Sequence, residues 1–454
     1  MKQNKYEIDM CNGSIMDKLI SFSLPLMLSG ILQLMFNAVD IVVVGRFSGS
    51  SALAAVGSTT ALINVFTNLF IGVSLGANVL AARFYASGRQ KEMSETVHTS
   101  ILLALISGIA MAIVGLLFSR WALELMGTPA DVIDQSSLYM KIYFLGMPFM
   151  MLYNFGAAIL RSIGDTKRPL YFLTIAGVVN VVLNLVFVIL FNMSVAGVAI
   201  ATVISQVISS LLVTRSLTHE QGALQLHLNQ LTVDKECLID IVKVGLPAGL
   251  QGCIFSLSNV VIQSSVNSFG SIVVAGNSAA VNIEGFIYVT MNSFHQSAVT
   301  FSSQNYGAKQ YKRCDKALLI SIACAATIGT ALGFLFIAFG TQLLSLYTTD
   351  PEVIKAGLIR MDYMFRYQAI NGSMDVMVGG LRAIGYSVLP TIVSLTGVCA
   401  FRLLWIATIF KASPSIHILY LVYPVSWTIT TTAHVISYLI VRRKLNKKEP
   451  QNNK

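Results

Sequence analysis

The sequence predicts an all-α polytopic membrane protein, with twelve transmembrane helices arranged as two parallel six-helix repeats around a central cleft. Three observations predict it. First, of 454 residues 55% are hydrophobic and only 11% charged, with a mean hydropathy of +0.69. A soluble domain carries about 25% charged residues, so this chain cannot clothe a water-facing surface of its size. That speaks against a cytosolic enzyme, a secreted disulfide-bonded protein and a disordered chain. Second, apolar runs of bilayer length, about 20 residues each, follow one another with short polar breaks. Third, the second half repeats the first in register. Leu24-Pro25 recurs as Leu246-Pro247, Asn37 as Asn259, and Pro129 as Pro351. Leu160-Arg161-x-Ile-Gly164 recurs as Leu381-Arg382-x-Ile-Gly385, and Pro169 as Pro390. An even number of spans per repeat inserts both the same way up, and such a pair of bundles suits alternating access.

Taken in order, residues 1–18 are polar, without the apolar core or small-residue cleavage site of a signal peptide. They read as a cytoplasmic N-terminal segment. Spans at 19–45, 53–82, 95–119, 135–161, 168–191 and 195–216 make the N-terminal six-helix bundle, 19–216. The longest interior polar stretch, 217–238, is the expected cytoplasmic linker. Spans at 239–266, 273–303, 316–341, 353–383, 388–411 and 416–441 make the C-terminal bundle, 239–441, and 442–454 form a basic cytoplasmic tail. Pro25 and Pro247 lie inside the first span of each bundle, where a missing backbone donor permits a bend; both are hinge candidates, and Pro148 and Pro424 sit inside spans elsewhere.

The net charge of +10 falls in short runs between spans rather than in one patch, which argues against nucleic acid as a partner. Arg46, Arg120, Lys141, Lys355, Arg360 and Lys411 lie at one set of loops and helix mouths, Arg366 and Arg402 lie within spans, and the remaining Lys and Arg lie on the opposite side. Lys and Arg concentrate on the cytoplasmic face, so both termini are expected inside. The six cysteines are scattered without a CxxC, as reduced structural thiols would be.

A charge within a span is expensive and needs a reason. Asp40 is the sharpest case. Gln33, Asn37 and Asp40, at i, i+4 and i+7, form a polar stripe on an apolar helix that should face the bundle interior. Asn180 and Asn184 share a face of the fifth span, and Thr202, with Ser205 and Gln206, lies on the sixth. Amide and hydroxyl oxygens around a carboxylate suit a coupling ion, H⁺ or Na⁺; the plainer alternative is a static buried carboxylate. The second repeat does not copy the set, since Asp40 aligns with Ile262, Asn180 with Phe401, Asn184 with Trp405 and Thr202 with Tyr423. It carries Glu284 and Asp375 instead, which either attract a cationic substrate or a proton, or pair with Arg402. Asp362 and Arg366, at i and i+4, read as a structural pair. No HExxH, no GxxxxGK[ST] and no nucleophile constellation is present, so an ion gradient rather than a nucleotide would drive any pumping, with no cofactor beyond that ion.

Leu24-Pro25, Asn37-Ala-Val-Asp40, Leu160-Arg161-Ser-Ile-Gly164-Asp165-Thr166 before Pro169, and Gln304-Asn305-Tyr-Gly307-Ala308 together resemble the multidrug and toxin extrusion (MATE) transporters of the multidrug/oligosaccharidyl-lipid/polysaccharide flippase superfamily, along nearly the whole chain. The resemblance implies two six-helix bundles forming a V-shaped cleft, and a secondary antiporter of the bacterial plasma membrane that exports amphipathic organic cations in exchange for H⁺ or Na⁺. It implies a cation site at Asp40, Asn180, Asn184 and Thr202. The family has an aspartate where Asn184 stands, so one titratable group remains. The places of the family's C-lobe Glu and Asp hold Ser256 and Asn371. Gln33, Asn37, Glu284 and Asp375 are the cleft and substrate candidates. Small organic substrates, a surrounding bilayer and a monomeric chain are expected. The alternative is a flippase of a lipid-linked precursor, whose relatives usually have a more basic cleft and fourteen spans.

Overall fold

In the computed structural model, which describes residues 6–448, helices cover all twelve expected spans and no strand occurs among the described residues. The outermost parts of the expected N-terminal segment and basic tail, 1–5 and 449–454, lie outside the described residues. The helices are α1 (Ile15–Phe47), α2 (Ser50–Ala86), α3 (Gln90–Leu125), α4 (Ile133–Leu145), α5 (Met147–Ser162), α6 (Lys167–Leu185) and α7 (Ser194–Thr218). After the linker come α8 (Lys235–Asn267), α9 (Ser271–Gly307), α10 (Tyr311–Ala338), the short α11 (Gly340–Ser345), α12 (Pro351–Phe365), α13 (Gln368–Ala383), α14 (Val388–Ser394), α15 (Phe401–Trp405) and α16 (Ile416–Lys448).

Among the described residues nine helical segments are long and apolar enough to cross a bilayer, and a tenth is the pair α4–α5, bent by 46°. That bend has a local cause: Pro148 lies in the first turn of α5, directly after the break at Gly146, and has no N–H to continue the helix. Pro25 and Pro247, by contrast, sit inside unbroken helices. The segments 351–383 and 416–448 are equally helical but more polar.

The chain packs as two units, one built mainly of Ile20–Gly249, the other mainly of Leu250–Tyr306 and the chain from Gln310 onward. Within the first, Phe144, Met147, Met151 and Phe155 centre the core. Close helix approach there depends on small residues, as expected where lipid supplies no hydrophobic drive between helices. Gly72 and Gly76 of α2 meet Gly245 and Gly249 of α8; a Cβ on Gly72 would lie 2.1 Å from the Gly249 nitrogen, and one on Gly249 2.2 Å from the Leu69 carbonyl oxygen. Within the second unit, Ile283, Ile287, Phe365 and Tyr420 are fully or almost fully buried together. Outward faces are apolar too: Ile106, Ile109, Ile113 and Leu117 form an exposed stripe along α3. Such a surface would drive association in water and is neutral against acyl chains.

The repeat has a structural basis at the ends of α5 and α13. Gly164 and Gly385 adopt φ of 90° and 97°, a region open to glycine. In the first repeat the Gly164 N–H donates to the Arg161 carbonyl (2.9 Å) and the Asp165 N–H to that of Leu160 (3.1 Å). In the second, Gly385 donates to Arg382 (3.0 Å) and Tyr386 to Leu381 (3.0 Å). This paired 5→2 and 6→1 bonding is the Schellman cap, so the recurring Leu-Arg-x-Ile-Gly is a helix terminator in both halves. Asp165 then starts α6, accepting from the backbone N–H groups of Lys167 and Arg168 (3.1 Å each). Its buried carboxylate also pairs with Arg168, which reaches Glu220 beyond α7.

Candidate functional site

The geometry of the first unit's polar site starts from one aromatic–glycine contact. Phe36 of α1 lies against Gly177 of α6 so closely that a Cβ on Gly177 would sit 1.8 Å from the Phe36 ring. One turn further along α1, that same edge carries Asp40. One and two turns along α6, it carries Asn180 and Asn184. The Asn184 amide donates to the Asp40 carboxylate and to the Asn180 carbonyl oxygen, the latter at 3.1 Å. Asn180 donates to the Thr202 hydroxyl on α7 at 3.4 Å, and Thr202 donates to the Val198 carbonyl at 2.9 Å. Asn180 and Asn184 are buried and Asp40 half-buried. The four residues named from the sequence thus form one chain of contacts across three helices.

One atom in it is left over. The Asn184 carbonyl oxygen is buried and accepts no hydrogen bond. Buried acceptors are nearly always paired. An unpaired carbonyl beside a carboxylate is an arrangement that a cation or a donating ligand completes. Tyr139 and Tyr143 stand near enough for their hydroxyls to feel the Asp40 charge. Sequence reasoning missed both, because they lie on α4, whose register against α1 no linear pattern carries.

Gln33 and Asn37 do not join the site. Both are exposed, so the expected inward-facing stripe is split. At about 100° per residue, Gln33 lies within about 20° of Asp40 around α1 but two turns nearer the helix start, and Asn37 lies about 60° to one side, so Gln33 differs from Asp40 in height along the helix and Asn37 in direction.

The second unit contains a separate cavity of about 440 Å³, walled by α8, α9, α12, α13, α16 and the α14–α15 segment. Glu284 and Asp375 both line it, as do Arg360 and Arg402. Neither carboxylate lies within ion-pair distance of Arg402. Glu284 instead accepts from Arg360 at 2.8 Å and from Gln368 at 3.1 Å, and Arg360 also donates to Asn277 at 3.0 Å. Arg360, placed at a helix mouth by the sequence reading, is in fact 6% exposed. The signal available was its position between Gly357 and Met364 on the apolar, buried face of α12. Asn371, in the place of the family's aspartate, lines this cavity and donates to Gln368 at 3.1 Å. Ser256 donates to the Gly252 carbonyl in its own helix. Asp362 and Arg366 form the expected exposed pair at 2.6 Å.

Comparison with known proteins agrees with this architecture. The MatE family profile matches twice, at residues 25–186 and 247–408, one copy per repeat. The "Probable multidrug resistance protein YoeA" of Bacillus subtilis (strain 168) is 30% identical over 382 residues, covering 82% of each chain. A protein named "FAD transporter" from Shewanella oneidensis is 27% identical over 346 residues, covering 74% of this chain and 75% of its own. A solved structure described as the outward-facing conformation of a multidrug resistance MATE family transporter superposes with a TM-score of 0.90 at 21% identity, over 99% of this chain and all of that one. With its fold, its doubled profile match and its relatives in agreement, the chain belongs to the MatE family of multi-pass membrane multidrug efflux transporters, which are carriers and not enzymes.

Proposed function

We propose that this member of the family is a secondary antiporter of the bacterial plasma membrane, exporting small amphipathic organic cations in exchange for H⁺ or Na⁺, with Asp40 carrying the exchange. The observation that bears the reading is the chain Asp40–Asn184–Asn180–Thr202 with its unpaired Asn184 carbonyl oxygen. A carboxylate within a span is retained for a purpose, and here it is backed by amide and hydroxyl oxygens, hard donors suited to a hard cation. Occupancy by the coupling ion neutralises Asp40 and disfavours a cationic substrate. Substrate binding disfavours the ion by the same factor, since linkage is reciprocal. In this reading both termini are cytoplasmic, the chain works as a monomer, and α1 and α8 bend at Pro25 and Pro247 as access alternates. The multidrug name of the B. subtilis relative supports drug-like cargo over a lipid-linked precursor. Efflux of a cationic dye from cells tests it: Asp40→Asn inserts at the wild-type level and loses export, whereas retained export by that variant refutes the assignment.

A further inference from the structure

We propose that the cavity of the second unit is a binding site for a small aromatic carboxylate, gripped by Arg402. The site is distinct from the Asp40 cluster and does not depend on the role given to that cluster.

The inference begins with an unsatisfied cation. Arg402 is 5% exposed, yet no carboxylate among the described residues lies within 4.0 Å of it. Among the described residues its side chain makes one hydrogen bond, from Nε to the Ser426 hydroxyl at 3.0 Å. The guanidinium carbon lies 4.2 Å from the centre of the Tyr423 ring, which fixes its plane. A guanidinium has five N–H donors, so the four on its two terminal nitrogens are unused. Buried charges are ordinarily paired. A preoriented fork with both prongs free matches a carboxylate in bidentate fashion.

The cavity carries groups of both signs. Four ionisable side chains line it, two acidic and two basic, and Arg360 and Glu284 satisfy one another. Asp375 feels the charge of Arg382, itself buried behind the wall and bonded to Gln251. Asp375 likewise has no cation within 4.0 Å among the described residues, so the cavity presents one unpaired carboxylate and one unpaired guanidinium, and the guanidinium fork is the group that takes a ligand's carboxylate. Tyr423, Trp427, Tyr288 and Phe255 also line the cavity, a wall suited to a flat apolar body. The volume falls within the range of small-molecule pockets, about 300–1,000 Å³. The backbone adds a second sign. Arg402 sits in α15 between two π-helical turns, Leu395–Ala400 and Ile406–Phe410, and such interruptions concentrate at functional positions.

The test is calorimetric titration of the purified full-length protein in detergent with benzoate, its neutral isostere benzamide, and benzylamine. Benzoate is expected to bind saturably and the other two not at all. Arg402→Gln should weaken benzoate by about tenfold or more, the effect of losing a charged hydrogen-bonded fork, and Arg402→Lys, which keeps the charge without the fork, should also weaken it. Asp40→Asn should leave benzoate binding unchanged, separating failure here from failure of the cation-export reading. Absence of benzoate binding, equal binding by wild type and Arg402→Lys, or a preference for benzylamine would each overturn the proposal.

Discussion

The contact between Phe36 and Gly177 offers a way to disturb the proposed cation site at Asp40 without touching a single polar atom. In Gly177→Ala the new Cβ would lie 1.8, 2.2 and 2.4 Å from three carbons of the Phe36 ring, where ordinary contact begins at 3.4 Å. The ring must retreat by about 1.5 Å, and if α1 moves with it Asp40 moves too. Asp40 is four residues from Phe36 on the same edge, and a hydrogen bond tolerates only about 0.5 Å of stretch. The Asn184–Asp40 bond is then lost. A hydrogen bond to a charged group contributes about 1.5–3 kcal/mol, so cation binding weakens by about tenfold to a hundredfold. Overpacking itself costs about 1–3 kcal/mol in stability. The assay is the cation concentration giving half-maximal dye efflux from proteoliposomes. It should rise at least tenfold in Gly177→Ala and return to within a few-fold of wild type when Phe36→Ala is added, a coupling expected only of residues in contact. An unchanged half-saturation in the single variant, or a double variant no better than the single, would refute the packing argument.

Two further outcomes are expected. Arg360→Met alone strands the Glu284 carboxylate in a nearly buried place and should destabilise by about 3–5 kcal/mol, read as a lower melting temperature in detergent; adding Glu284→Leu should restore most of it, and a double variant as unstable as the single would contradict the pairing. Asp234, in the linker before α8, accepts from the Cys237 backbone N–H at 2.8 Å, and that bond holds its carboxyl below the ordinary value. A depressed carboxyl stabilises above its unfolded pKa and loses that contribution as pH falls through the folded one. The melting-temperature deficit of Asp234→Ala should therefore be full at neutral pH and shrink on acidification below about 4; a deficit constant with pH would contradict it.

The reach of the sequence varied with the range of the interaction. Spans were legible because lipid exposure writes itself as uninterrupted apolar length, and the repeat because glycine termination at Gly164 and Gly385 tolerates no other side chain cheaply. The Asp40, Asn180, Asn184 and Thr202 set was legible because polar groups in spans are rare enough to seek one another. Its orientation was not. Which residues of the α1 stripe are covered depends on where α6 crosses it, and that crossing is set by Phe36 meeting a glycine on α6, 141 positions away. Nor was the partner of Glu284 legible, since Arg360 comes from a helix 76 residues on. A helical period identifies a residue's face and is silent about the neighbour which that face meets.

The claim on which the account rests is that one carboxylate in α1 links ion movement to export. Reconstituted wild-type protein and Asp40→Asn, loaded with a cationic dye, should be compared under separately imposed Na⁺ and proton gradients. Wild-type efflux should accelerate under one of these gradients, while Asp40→Asn, folded and inserted, responds to neither. Equal acceleration of both proteins by the same gradient would contradict it.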